Sequence, residues 1–184
     1  MTRDDEPPAP VCAALRGADF AVDALIDRVV EWARGAGLRV VGALQRDEPR
    51  PGRRLCDMIL DDLATGRRIR ISEDRGDLAE GCRLDSAALT EAAALVERTI
   101  HEAAPDLVIL SKFGKAEAEE GAGLRDAIAV AIERDVPVLI GVAEDYVEAL
   151  RRFAGDLCVI AADEAQVRRW LRVGLGERAT PIVV

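Results

Sequence analysis

A three-layer α/β domain, with a mostly parallel sheet between two helical layers, is what this sequence predicts, and three observations predict it. Apolar runs at 38–44, 107–110, 136–142 and 157–161 carry β-branched and aliphatic residues without alternation, the pattern of strands covered on both faces. Stretches with apolar residues at helical spacing lie between these runs, and strands alternating with helices imply right-handed crossovers in one parallel sheet. One segment breaks the rule: LCDMILDDL and RRIRIS alternate apolar with polar, as an antiparallel hairpin with one wet face does.

The elements follow in order. After a polar, proline-containing start at 1–9, residues 10–15 form a short strand, and Arg16, Gly17 and Ala18 a turn. Asp19 is placed as the cap of a helix in which Val22, Leu25, Ile26, Val29, Val30 and Ala33 recur, until Gly35 and Gly37 end it. A strand at 38–44 precedes a charged loop at 46–53. The hairpin comes next, turning at Thr65 and Gly66. A polar loop at 73–84 leads to Asp85, the cap of a helix whose core face is Leu89, Ala92, Ala93, Val96, Ile100 and Ala103, and which stops at Ala104 and Pro105. The strand at 107–110 follows, then a helix from about Leu124, the strand at 136–142, and a helix carrying Tyr146, Val147, Leu150 and Phe153, closed by Gly155. The last strand is 157–161. Asp163 with Gln166 caps a final helix bearing Val167, Trp170 and Leu171. The domain is therefore 10–176, with 177–184 as a tail.

At 184 residues, 49% apolar and 32% charged, the chain is long enough to bury one core without disulfides or structural metal. Aromatics at 3% leave that core to Val, Leu, Ile and Ala, and the tyrosine and both tryptophans read as part of it. A net charge of −9 argues against a nucleic-acid partner, since phosphates would be repelled except at a local basic patch and no basic stripe with interleaved aromatics is present. No apolar run approaches a membrane span and the start is unlike a signal peptide, so the expected location is the cytoplasm. Cys12, Cys56, Cys82 and Cys158 form no CxxC pair and His101 stands alone, a pattern that offers no metal site. Cys12 and Cys158 read as core residues, and Cys56 and Cys82 as thiols bordering turns.

The candidate site is DLVILSKFGKAEAEEGAGLR, 106–125. In a parallel sheet ligands bind at the carboxyl ends of strands, and Ser111, Lys112, Phe113, Gly114 and Lys115 follow the buried run at 107–110. Gly114, Gly121 and Gly123 free the backbone to approach an anion, and Lys112, Lys115 and Arg125 supply charge. Glu117, Glu119 and Glu120 cancel that charge formally, so a solvated mixed-charge loop stands as the alternative to a ligand site. Asp57 and Asp61 share a strand face and are read first as solvated carboxylates.

The blocks CDMILDDLATGRR (56–68), GCRLD (81–85) and KFGKAEAEEGAGLRD (112–126) resemble a bacterial domain-of-unknown-function family often encoded beside molybdate-transport genes. The resemblance runs from about Cys12 to Trp170. That family is in turn similar to the small P-loop nucleoside-triphosphatases of thermophiles, which implies a P-loop-like fold. The phosphate loop itself departs from GxxxxGK[ST], in which the lysine meets the outer phosphates and the hydroxyl holds magnesium. Aligned through Leu25 and Ile26, the lysine position holds Val22 and the hydroxyl position Asp23, and Gly17 is one residue out of place. The acids that should follow the strand at 107–110 are Ser111 and Lys112. Only Gly114 and Lys115 keep the related pattern.

The resulting expectation is a P-loop-like protein that does not hydrolyse nucleotides and binds an anionic small molecule through Ser111, Lys112, Gly114, Lys115 and Arg125. Molybdate, another oxyanion or a nucleotide are the ligand classes, and no cofactor or metal is called for. A protein partner in molybdenum metabolism is implied by the resemblance alone. Two alternatives stand beside it: an unusual nucleoside-triphosphatase using Asp23 or Asp57 for metal, and a scaffold with no small ligand.

Overall fold

The computed structural model describes residues 12–16, 19–52, 56–73, 84–161 and 163–176. The expectations on the 1–9 and 177–184 tails, the turn at Gly17, positions 74–83 of the polar loop, Cys82 and the Cys12 side chain fall outside these residues.

Among the described residues the strands and α-helices follow in order: β1 (Cys12–Arg16), α1 (Asp19–Gly35), β2 (Val40–Glu48), β3 (Asp57–Asp62), β4 (Arg68–Arg70), α2 (Ser86–Ala103), β5 (Leu107–Phe113), α3 (Lys115–Glu119), α4 (Arg125–Glu133), β6 (Val138–Val142), α5 (Val147–Ala154), β7 (Cys158–Ala161) and α6 (Glu164–Leu175). The strands form one seven-stranded sheet in the order β4-β3-β2-β5-β6-β1-β7. β2, β5, β6, β1 and β7 pair in parallel, whereas β3 and β4 are an antiparallel hairpin added beside β2. The three-layer architecture with a hairpin insertion is what the sequence predicts.

Strand alternation sorts the core into two halves. Val41, Ala43, Val108, Leu110, Val138 and Ile140 face α2, α4 and α5, while Val40, Leu44, Leu107, Ile109 and Leu139 face α1 and α6. Leu107, Val108 and Ile109 are each 0% exposed, so the continuous apolar run marks a strand buried on both sides. Gly42 lets β2 and β5 close up: a Cβ there would sit 1.9 Å from the Ile109 carbonyl oxygen. Asp85 accepts from the Ala88 N–H at 3.0 Å and Asp163 from the Gln166 N–H at 2.9 Å, so both expected caps form. Ala104, at φ 43°, ends α2 before Pro105.

The boundaries differ in instructive places. β2 runs on to Glu48 instead of giving way to a loop at Arg46, because Arg46, Asp47 and Glu48 pair with Ile59, Met58 and Asp57. Their polarity is met by arginine–carboxylate pairs: Arg46 with Asp27 and Asp61, Arg68 with Glu48 and Asp61, and Arg70 with Asp57. The wet face of the hairpin is therefore a charge lattice. Asp19 is the first helical residue rather than the cap before it. The run at 157–161, read as covered on both faces, is not: β7 is an outer strand, Leu157 and Val159 are exposed, and Cys158 is half-buried where it packs on the edge of the core. Trp170 and Leu171 are buried as expected, and Tyr146 and Trp32 only partly.

Candidate functional site

β5 extends three residues beyond the apolar run that predicts it, through Ser111 and Lys112 to Phe113. Phe113 is 1% exposed and stacks on Phe153 of α5, with ring centroids 6.2 Å apart, so an apolar anchor keeps the strand going. The Ser111–Lys112 peptide is cis. Ser111 is buried, Lys112 half-buried and Lys115, at the start of α3, exposed.

At this carboxyl end of β5 lies a cavity of about 290 Å³. Ser111, Lys112, Gly114 and Lys115 line it, together with Gln45 from β2. Glu117 of α3 lines it too, and the other walls are largely apolar: Met58 and Leu60 of β3, Ile71, Leu84, Leu89 of α2, and the half-buried Tyr146. The edge of the sheet that ligands use thus carries four of the five residues expected there. Tyr146, read from sequence as core, contributes to both the core and this wall.

Arg125 is placed differently. Its guanidinium donates to the Glu117 carbonyl at 3.2 Å and lies 4.4 Å above the Phe153 ring, outside the cavity lining. A planar cation that can satisfy a free carbonyl and an aromatic face at once is held there, one residue into α4, instead of reaching the lysines.

Glu117 is the residue that sequence reasoning missed. Counted there only among the cancelling charges of the loop, it is 4% exposed and its two oxygens accept backbone N–H groups from both ends of the segment, Gly114 at 3.0 Å and Leu124 at 2.9 Å. Burial pushes its carboxyl above the ordinary carboxylate range, against the lowering by those backbone hydrogen bonds. Gly123, at φ +67°, completes the arrangement, because a Cβ there would fall 2.2 Å from Glu117 Oε1. The signal was available: a glutamate three residues after a glycine and six before another, in a segment that must turn back on itself, is a loop staple before it is a surface charge.

The secondary candidates separate. Asp57 pairs with Arg70 at 3.0 Å and Arg50 at 3.5 Å, and alternation along β3 sends it to the face opposite Met58 and Leu60, away from the cavity. Asp23 on α1 lies 3.4 Å from Ser111 Oγ. On the alignment through Leu25 and Ile26, the phosphate-loop pattern calls for a hydroxyl where Asp23 stands and an acid where Ser111 stands, so on that alignment the two groups meet with their places exchanged. Val22 of α1, at the lysine position on that alignment, is 5% exposed on the helix's core face. Among the described residues no group of three or more His, Cys, Asp or Glu could hold a metal ion. None of the described helices is long and apolar enough to cross a membrane.

The mostly parallel sheet, the hairpin beside it and the helices on both faces make this a three-layer α/β protein of P-loop-nucleoside-triphosphatase-like fold. The solved structure of THEP1 from the hyperthermophile Aquifex aeolicus shares it at TM-score 0.55, covering 82% of this chain and 87% of that one, with 18% identity. The chain belongs to the family described as protein of unknown function DUF2478, which matches residues 11–170. A curated relative, the molybdenum import ATP-binding protein ModC 2 of Bradyrhizobium diazoefficiens, is 36% identical over 166 residues; the match spans 90% of this chain and 18% of that protein.

Proposed function

We propose that this chain binds a small anionic ligand at the carboxyl end of β5 and does not hydrolyse nucleotides. The observation that carries the reading is the pairing of Lys112 and Lys115 on one cavity beside the buried Ser111. Phosphoryl transfer needs a lysine on the outer phosphates, a hydroxyl and acid on magnesium, and a group that orients the nucleophile. Val22 fills the lysine position with core, and Lys112 puts a cation where an acid is required. Two lysines at a strand edge attract an anion directly. The name of the ModC 2 relative makes molybdate and tungstate part of the ligand class to be tested, beside phosphate and nucleotides.

The Asp23–Ser111 contact favours a second reading, an unusual nucleoside-triphosphatase in which Asp23 would hold the metal. A turnover assay with magnesium separates the two. Phosphate release at background is the expected result, and sustained release that disappears in Lys115→Ala would establish the enzyme. A thermal-shift screen of oxyanions and nucleotides tests the binding itself, because a ligand that prefers the folded state raises Tm. The absence of any shift across the screen would favour a scaffold, with the anion site discarded.

A further inference from the structure

Resting on the anion-binding reading, we infer that the ligand is not a bare oxyanion but a compact anion with a flat, largely apolar body, such as an aryl or heterocyclic phosphate monoester. The cavity is lopsided in chemistry. Its polar side chains, Gln45 of β2, Ser111 and Lys112 at the end of β5, and Lys115 and Glu117 of α3, sit on one side, and both Glu117 oxygens are already taken by the Gly114 and Leu124 N–H groups; most of the remaining lining, Met58, Leu60, Ile71, Leu84, Leu89 and Tyr146 among it, is apolar or aromatic.

A tetrahedral oxyanion carries acceptor oxygens on every side, and each one turned towards Met58, Leu60 or Ile71 would give up its water for nothing. Size points the same way. About 290 Å³ holds on the order of ten waters at ~30 Å³ each, far more than a bare oxyanion replaces. The same volume lies at the lower end of small-molecule pockets, ~300–1,000 Å³, which suits a one- or two-ring compound and not a dinucleotide. The charged head lies between Lys112 and Lys115, and the body lies against the hairpin and α2. Tyr146 offers a ring on which a flat body stacks.

The test fixes the head and grows the body: calorimetric titration of the purified protein with inorganic phosphate, phenyl phosphate and 1-naphthyl phosphate, with molybdate and the neutral 1-naphthol as controls. Affinity rises at least tenfold from phosphate to naphthyl phosphate, and naphthol binds much more weakly than its phosphate. Met58→Gln, an unbranched replacement at a half-buried position, lowers naphthyl phosphate affinity several-fold more than phosphate affinity, while Lys115→Ala weakens every anion in the series. If phosphate or molybdate binds as tightly as naphthyl phosphate and Lys115→Ala abolishes both, the apolar-body inference is overturned and the anion reading stands. If naphthol binds as well as its phosphate, or nothing in the series binds, the anion reading itself falls.

Discussion

Replacing Glu117 by alanine removes a side chain that ties Gly114 to Leu124, the two ends of the turn that carries Lys115. Two backbone N–H groups lose their acceptor, one of them in a buried bond. Each unsatisfied donor costs about 1–3 kcal/mol, offset by no longer desolvating a carboxylate, so the loss should be about 2–4 kcal/mol. Gly123→Ala perturbs the same arrangement from the other side. A left-handed alanine costs about 1–2 kcal/mol, and its Cβ must also expel Glu117 Oε1, adding about 2 kcal/mol as the Leu124 bond breaks. In a Glu117→Ala background that second part vanishes. The double variant should therefore be about 2 kcal/mol more stable than the sum of the single changes implies. Urea denaturation of the four proteins measures this cycle. Additivity within about 0.5 kcal/mol would refute the claim that Glu117 and Gly123 form one unit.

Glu117 also sets a pH dependence. Its folded pKa is raised, so between the unfolded value and the folded one the native state binds more protons than the unfolded chain, and stability falls as pH rises through that window. Glu117→Gln lacks this slope, and denaturation midpoints of the two proteins across the mildly acidic range should converge on the acid side after allowing for a constant offset. Arg125→Ala should lower stability by about 1–2 kcal/mol through loss of the Phe153 stack and the Glu117 carbonyl bond, with phosphate affinity nearly unchanged. Lys112→Ala and Lys115→Ala should each weaken anion binding roughly tenfold to a hundredfold, and Lys115→Ala should leave stability within about 0.5 kcal/mol; equal losses in Arg125→Ala would return that residue to the site. Cys56→Ala and Cys158→Ala, with Cys12→Ala and Cys82→Ala, should leave the elemental content of the purified protein unchanged; loss of a bound metal from any one would expose a ligand that residue spacing hides.

The central strands β2, β5 and β6 and the caps at Asp85 and Asp163 were legible because each rests on local chemistry: an uninterrupted apolar run, or an aspartate placed to meet a free N–H. Arg46 to Glu48 were not, because their strand is made by pairing with β3 and by cross-strand ion pairs, which a single segment does not display. The extension of β5 to Phe113 has the same origin, its anchor being Phe153, forty residues away. At the site, position along the sheet was readable and direction was not. Lys115 and Arg125 look alike in a string of letters, yet one lines the cavity and the other is held by an aromatic face and a carbonyl.

Electrostatics links these substitutions into one functional reading. In a phosphate-loop enzyme, acids after the central strand attract a divalent cation, and the cation then attracts the phosphate. Here the first of those places holds a buried serine facing Asp23, and the second holds Lys112 at the cavity wall. On the proposed reading, a lysine in place of an acid changes the local charge by two units and lets an anion meet the protein with no metal between them. Val22, buried on the core face of α1, makes the change consistent, because the phosphate-loop lysine is absent from the place where it would compete for the same ligand. Charge that the enzyme family spends on a transition state would serve here to hold a ground-state anion, which raises affinity and gives no rate.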